Sequence, residues 1–415
     1  MSIASEISRL QQAKADIKTS IENKGVTVPS ATLISGYSTL IDQISQGTTE
    51  AAFNDVNFYD YDGTRVYSYS KSDFANLTAM PANPTHEGLT AQGWNWTFAD
   101  AQSYIASMGV LDIGMQYITS DNATRIYIHL EKRLQPYCCF AVNGTATINW
   151  GDNTSDNVVG TSVSTLITTQ HTYAKGGDYV ISISSSSPIY ITSSGNMGCA
   201  LLSNNKSYYD QNYMYINAIT KVELGNVVLG QSAFVRCSNL ISITIPSSLD
   251  MSGNYLFRYN NSLKYITISS STTTLAQYFF DQSYSLEYVS LPKNVATINT
   301  ASFQNCQSLR RICVPANAGL STQCFNGCYA LSWLKLKDIT FITSSQKHFA
   351  NCYGIILYDF TLCTSVPTLV NVNVFENIVS DCKIVVPDSL YNSWIGTTNW
   401  SNFTSYIIKE SDYND

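Results

Sequence analysis

From residue 219 to 360 the apolar and polar positions recur with one period. A Phe is followed six positions later by Leu or Ile, at Phe234/Leu240, Phe257/Leu263, Phe280/Leu286, Phe303/Leu309, Phe325/Leu331 and Phe349/Ile355, and successive Phe residues lie 23, 23, 23, 22 and 24 positions apart. Each Leu opens a short alternating run, as in Leu240-x-x-Ile243-x-Ile245 and Leu263-x-x-Ile266-x-Ile268, and alternation with period two is strand patterning. One strand per unit of this length predicts a solenoid. A single unit cannot fold alone. Four or five buried apolar side chains contribute roughly 1.5–3 kcal/mol each, whereas ordering such a unit costs on the order of 30 kcal/mol. Stacked units share strand hydrogen bonds and cover one another's faces.

Three positions after each Phe stands Cys237, Asn260, Ser283, Cys306, Cys328 or Cys352. Stacked in a solenoid, these small side chains form a ladder that points inward and bonds the backbone. The phrases Ile243-Thr244-Ile245-Pro246 and Leu291-Pro292 complete the pattern, which closely resembles the BspA-type leucine-rich repeats of bacterial surface proteins and gut-phage proteins. The resemblance covers about a third of the chain and implies a binding scaffold. Further on, Phe375 lies 26 positions after Phe349. The last predicted strand is Lys383–Pro387, and the stretch from Asp388 through Trp394 to Trp400 and Phe403 reads as an aromatic cap over the last coil. Residues 409–415 read as a charged, frayed tail.

The chain before the repeats is of three textures. Ile3, Ile7, Leu10, Lys14, Ile17 and Ile21 are spaced as one seam of a short coiled coil, interrupted by Lys14. A second amphipathic helix follows Ser30, with Leu33, Tyr37, Leu40, Ile41 and Ile44 on one face. The two either pack as a hairpin on the next module or oligomerise and dock on a partner. Residues 7–44 resemble N-terminal segments of tail proteins in tailed phages of gut bacteria. From Val56 to Tyr69 the sequence alternates around Asp62-Gly63, which predicts a hairpin with a two-residue turn. Asp60-x-Asp62-Gly63 has the first half of a calcium loop but lacks the third ligand and the distal Glu. Trp94, Trp96 and Phe98 read as a small core, and Phe98–Met108 as a short helix. Residues 111–192 carry several alternating runs with turn signals, the pattern of a β-sandwich. Trp150-Gly151-Asp152, His171-Thr172-Tyr173 and Gly177-Asp178-Tyr179 resemble the PKD-type sandwich, with Asn153 where that family usually has Gly. The resemblance implies that His171 and Asp152 are structural.

Composition narrows the function. Charged residues are 13% of the chain and the net charge is -7, which gives no basic stripe for nucleic acid. No run of 18 apolar residues spans a bilayer. The N-terminus has no signal-peptide pattern. The 11 cysteines include no pairs at zinc spacing and read as reduced thiols. An adhesin-like composition without an export signal suggests release by lysis within a phage particle. The four histidines form no metal or catalytic motif, no nucleotide-binding loop occurs, and no carboxylate pair is singled out. The chain is therefore read as a non-enzyme without cofactor or metal. Tyr, Ser and Asn supply adaptable contact area. Tyr208, Tyr209, Tyr213 and Tyr215 at the solenoid's entry, and Tyr255, Tyr259, Tyr278 and Tyr284 within it, are the candidate ligand-binding residues, against the alternative that they fill the edge of the core.

These readings give a mainly β, modular fold. An attachment and oligomerisation segment (1–50, seam Ile3, Ile7, Leu10, Ile17, Ile21) precedes a small mixed α/β module (51–110). A PKD-like β-sandwich (111–192), a leucine-rich solenoid (193–387) and a cap with tail (388–415) follow. The resemblances imply a phage virion tail protein, a fibre or baseplate component. It would bind other tail proteins through its N-terminus, present the solenoid to a host-surface glycan or protein, and self-associate, by the habit of such fibres as a trimer. The alternatives are a BspA-like bacterial surface adhesin and a glycan-degrading tail enzyme.

Overall fold

A computed structural model describes residues 55–192, 201–202, 211–342 and 346–413. The N-terminal seam residues Ile3, Ile7, Leu10, Ile17 and Ile21 lie outside the described residues, as do Tyr208 and Tyr209. The fold is mainly β, with a solenoid of about eight turns.

The repeat builds the solenoid as its period predicts. The spine residues Phe234, Phe257, Phe280, Phe303, Phe325, Phe349 and Phe375 stack ring on ring with centroids 5.3–5.8 Å apart. Beside them runs the small-residue ladder, whose members from Asn260 to Cys352 donate to the carbonyl of a spine Phe in the preceding turn. Asn260 Nδ2 reaches Phe234 O at 2.9 Å and Ser283 Oγ reaches Phe257 O at 2.9 Å. Cys306, Cys328 and Cys352 take the same role with Phe280, Phe303 and Phe325 at 3.3, 3.2 and 3.0 Å. Burial pushes the Cys306 and Cys328 thiols well above their ordinary range and the Cys352 thiol to about 12. They therefore remain protonated and inert.

One feature of each turn is absent from the hydrophobic pattern. The residues two before and two after the spine Phe are left-handed, as at Tyr255 and Tyr259 (φ 60° and 64°), Tyr278 and Gln282 (56° and 60°), and Lys347 and Asn351 (68° and 57°). Alternating hand lets three N–H groups face the next turn together. Tyr255, Phe257 and Tyr259 donate to Gln277, Phe279 and Asp281 carbonyls at 2.9, 2.9 and 3.0 Å. Left-handed backbone costs a non-glycine residue about 1–2 kcal/mol, and the ladder of inter-turn bonds offsets it.

The remaining elements enclose the solenoid. Strands β1 (Val56–Tyr59) and β2 (Arg65–Tyr69) form the expected hairpin, although its loop runs through Asp60–Thr64 rather than two residues. Asp60 is held by His86 Nε2 at 2.7 Å and Asp62 accepts from Thr64 N at 2.9 Å, so both carboxylates serve the turn and its packing. Helix α1 (Lys71–Ala75), β3 (Leu89–Trp94), α2 (Phe98–Met108) and β4 (Leu111–Thr119) complete the small module. Thr97 caps α2, its hydroxyl accepting from Asp100 N, and Gly109 ends it at φ 87°. The sheet order is β2-β1-β4-β3, so residues 111–119, read from sequence with the all-β module, belong to the sheet before it.

Strands β5 (Thr124–Leu130), β6 (Tyr137–Asn149), β7 (Ser155–Gln170), β8 (Gly177–Ser185) and β9 (Ile189–Ile191) continue directly into the solenoid. β5 pairs with β10 (Ile219–Glu223) and β9 with β11 (Val227–Leu229), and one hydrophobic core runs from Ile126 to Ile407. These strands thus cover the first turn, whose strand edge would otherwise be open. At the other end, the helix Tyr391–Gly396 buries Trp394, and Trp400 is buried beside it against Phe360 and Phe375. The reading of the last strand is corrected here. Ile407–Lys409 is a further strand, paired in parallel with Lys383–Val386, because its Ile407 completes the core of the last coil.

Candidate functional site

The strand face of the solenoid carries two columns of outward side chains. One runs Tyr265, Tyr288, Arg311, Trp333, Leu357, and the other Thr267, Ser290, Cys313, Lys335, Asp359. The small module sits on the first three members of each. Tyr59 stacks on Tyr265 and Tyr288 at 5.0 and 5.9 Å. Trp96 Nε1 donates to Leu291 O at 2.8 Å, and Asn95 Nδ2 to Ile268 O and Ser290 O at 3.2 and 3.0 Å. Arg311 grips Asp112 in a buried bidentate pair, with Nε to Oδ2 at 2.9 Å. Cys313 enters the module's own core. A Cβ at Gly114 would lie 2.2 Å from Thr267 Oγ1, so glycine is what lets β4 approach so closely. The first half of this face is therefore occupied by the chain itself.

The Phe-bearing turns form a second margin of the solenoid. Tyr255 and Tyr278 lie there, half-buried and stacked at 5.1 Å. The Arg258 guanidinium packs among Tyr255, Tyr259 and Tyr278 at 5.5, 4.6 and 5.3 Å, while its Nε donates to Asp281 Oδ2 at 2.7 Å. Burial raises the Asp281 carboxyl and the Arg258 charge pulls it back only in part. Gln282 Nε2 donates to the Tyr259 hydroxyl at 3.2 Å. These side chains hold one another, and three of the expected binding tyrosines are chiefly braces of the edge.

Tyr284 differs. It is 38% exposed, and two tyrosines missed by the sequence reading stand at the same offset from their spine Phe, Tyr329 at 43% and Tyr353 at 51% exposure. The Tyr284 hydroxyl donates to Gln282 Oε1 at 2.9 Å and that of Tyr353 to Asn351 Oδ1 at 3.1 Å. Asn351 Oδ1 also accepts from Asn377 Nδ2 at 2.8 Å, and Asn351 Nδ2 donates to Asn326 Oδ1 at 3.0 Å. Tethered hydroxyls fix the rings before any partner arrives, which lowers the ordering cost of contact. The signal was available, because all three lie four residues after the spine Phe.

At the entry, Tyr215 is buried at 7% exposure and its hydroxyl accepts from Gln135 N at 3.2 Å. Its ring fills the core shared with the β5–β9 strands, so it packs where an exposed position was expected. Tyr213 lies on the 3-10 helix Gln211–Ala218. In the β5–β9 region His171 stacks on Trp150 at 4.8 Å, its Nε2 is 2.8 Å from Asp152 Oδ2, and the Tyr173 hydroxyl donates to Trp150 O at 2.7 Å. These groups satisfy one another in a structural knot. Among the described residues no three His, Cys, Asp or Glu side chains gather as a metal site, and no helix is long and apolar enough to cross a membrane.

Residues 204–332 and 282–405 match the BspA type leucine rich repeat region, in six copies. No curated protein matches the chain. Among solved structures, the chain is similar to a leucine rich cell surface protein from Faecalibacterium prausnitzii A2-165, at 18% identity over 53% of this chain and 76% of that one, with a TM-score of 0.22. It is also similar to a leucine-rich repeat protein from Bacteroides ovatus ATCC 8483, at 18% identity over 52% and 69%, with a TM-score of 0.25. On the family match, and on the stacked spine and ladder, the repeats of this chain are BspA-type leucine-rich repeats.

Proposed function

We propose that the chain is a non-enzymatic recognition protein of the surface-adhesin kind, which meets a cell-surface glycan or protein with the tyrosine margin of its solenoid. The observation that carries this reading is the column Tyr284, Tyr329 and Tyr353. These are large side chains left exposed at one position of three turns, where neither spine nor ladder needs them. Aromatic side chains with few rotamers are efficient contact residues. The β5–β9 strands, read as PKD-like, act in this picture as the spacer and N-terminal cap. Binding of the purified chain to whole cells should fall at least about tenfold in a Tyr284→Ala/Tyr329→Ala/Tyr353→Ala variant, with unchanged thermal unfolding. Undiminished binding by that variant would sink the reading.

A second setting for the same surface is the phage tail, favoured by the apolar spacing of residues 1–50, which reads as a coiled-coil seam, and by their resemblance to gut-phage tail proteins. There the segment would fasten the chain to other tail proteins in the virion and assemble it, as a trimer. Finding the protein in purified particles, and losing it from them when residues 1–50 are removed, would favour this setting. Finding it on bacterial cells without induced lysis would favour the adhesin.

A further inference from the structure

Among the described residues, the strand-face columns are covered as far as Arg311 and Cys313. Beyond them, Trp333, Leu357 and the Lys335–Asp359 pair form the floor of a groove whose wall is Met108–Val110, at the junction of α2 and β4. The groove encloses about 590 Å³, within the roughly 300–1,000 Å³ of small-molecule sites. We propose that this groove binds a short neutral oligosaccharide.

Three observations carry the assignment. Trp94, Trp96, Trp150, Trp394 and Trp400 are buried, and Trp333 is not. With Leu357 beside it in register and Ile356 60% exposed, it offers a flat apolar platform of the kind the non-polar face of a pyranose covers. The Lys335 ammonium lies 3.1 Å from Asp359 Oδ2, while Asp359 Oδ1 is fixed by Thr361 N and Oγ1 at 2.9 and 2.7 Å. A donor beside an oriented acceptor matches neighbouring hydroxyls, each of which can both donate and accept. The lining carries Asp55, Asp359 and Glu410 against Lys335 alone, a balance that repels acidic sugars. The same face already receives the Tyr59 ring and the Asp112 carboxylate of the small module, and the groove continues that interface along the solenoid axis.

The site is independent of the tyrosine margin, and its test separates the two. The full chain is titrated with cellohexaose, maltohexaose, xylohexaose and mannohexaose, with trigalacturonate and tetralysine as charged probes, by calorimetry and tryptophan fluorescence. At least one neutral hexasaccharide should bind with a Kd below about 1 mM and change the fluorescence. Trp333→Ala should weaken that binding at least about tenfold. Ser332→Trp, which fills the groove from an exposed position and removes no packing, should do the same. Tyr284→Ala/Tyr353→Ala should leave it unchanged. The proposal is overturned if no neutral hexasaccharide binds at about 10 mM, if Ser332→Trp binds as well as the parent, or if only trigalacturonate or tetralysine binds.

Discussion

The first and last halves of the strand face are built from the same two columns of positions yet end differently. Over Tyr265, Tyr288 and Arg311 the face is sealed by stacked rings and a buried ion pair, whereas over Trp333, Leu357, Lys335 and Asp359 it is open among the described residues. Equivalent repeat positions therefore have no fixed role. What decides is whether another part of the chain supplies the complement. Arg311, 9% exposed, is matched by Asp112, 2% exposed, from β4, and Lys335 by Asp359 from the adjacent turn.

Changes at three places probe that contrast, from the largest expected effect to the smallest. Asp112→Ala leaves a buried guanidinium without its carboxylate and should cost about 3–5 kcal/mol, read from the shift of the denaturant midpoint. Replacing the pair together by Asp112→Leu/Arg311→Met should recover much of the loss. A double variant as unstable as the single one would show that the pair is not what pins the module.

The open half has an acid-sensitive point of its own. His348 is fully buried, with Nε2–H donating to Leu320 O at 3.2 Å, and burial lowers its pKa from 6.5 to about 4. The unfolded chain takes up the proton as pH falls through the ordinary histidine value, but the folded chain does so only near the lower one. Stability is thus complete above about pH 6.5 and declines as pH falls toward 4, by about 3 kcal/mol in all. Hydrogen exchange should show turns 320–360 opening first in acid, and His348→Leu should flatten the dependence. Equal acid sensitivity in the variant would count against this account. Lys335→Met, by contrast, removes a partly exposed ion pair and should change stability by less than about 1 kcal/mol. A loss as large as that of Asp112→Ala would erase the difference between the two halves.

Much of the site's context could be read from the chain, whereas the exposure of the candidate tyrosines could not. Tyr284 stands exposed, but Tyr255, Tyr259 and Tyr278 are bound up with Arg258 and with one another, and Tyr215 is buried. Residue type suggested contact, while neighbours across turns decided exposure. Tyr329 and Tyr353 share the offset of Tyr284 from the spine, so alignment of the repeats on Phe would have found them.

The sequence by itself determined the repeat. The spine Phe residues, the strand-opening Leu residues and the Cys/Asn/Ser ladder lie at fixed spacing because each turn must bury the same positions against its neighbours, a local requirement written once per period. Only the tertiary structure decided the rest. The left-handed flanks follow from inter-turn hydrogen bonds; Asn305, Gly327 and Asn351 suit that conformation, but Tyr255, Tyr259, Tyr278 and Gln282 adopt positive φ against their propensity. The last strand, Ile407–Lys409, exists because Lys383–Val386 offers it an edge. The sealing of one half of the strand face depends on groups such as Trp96 and Leu291, 195 residues apart in the chain. No periodic pattern encodes such a meeting, because complementarity between distant surfaces is fixed only when the fold brings them together.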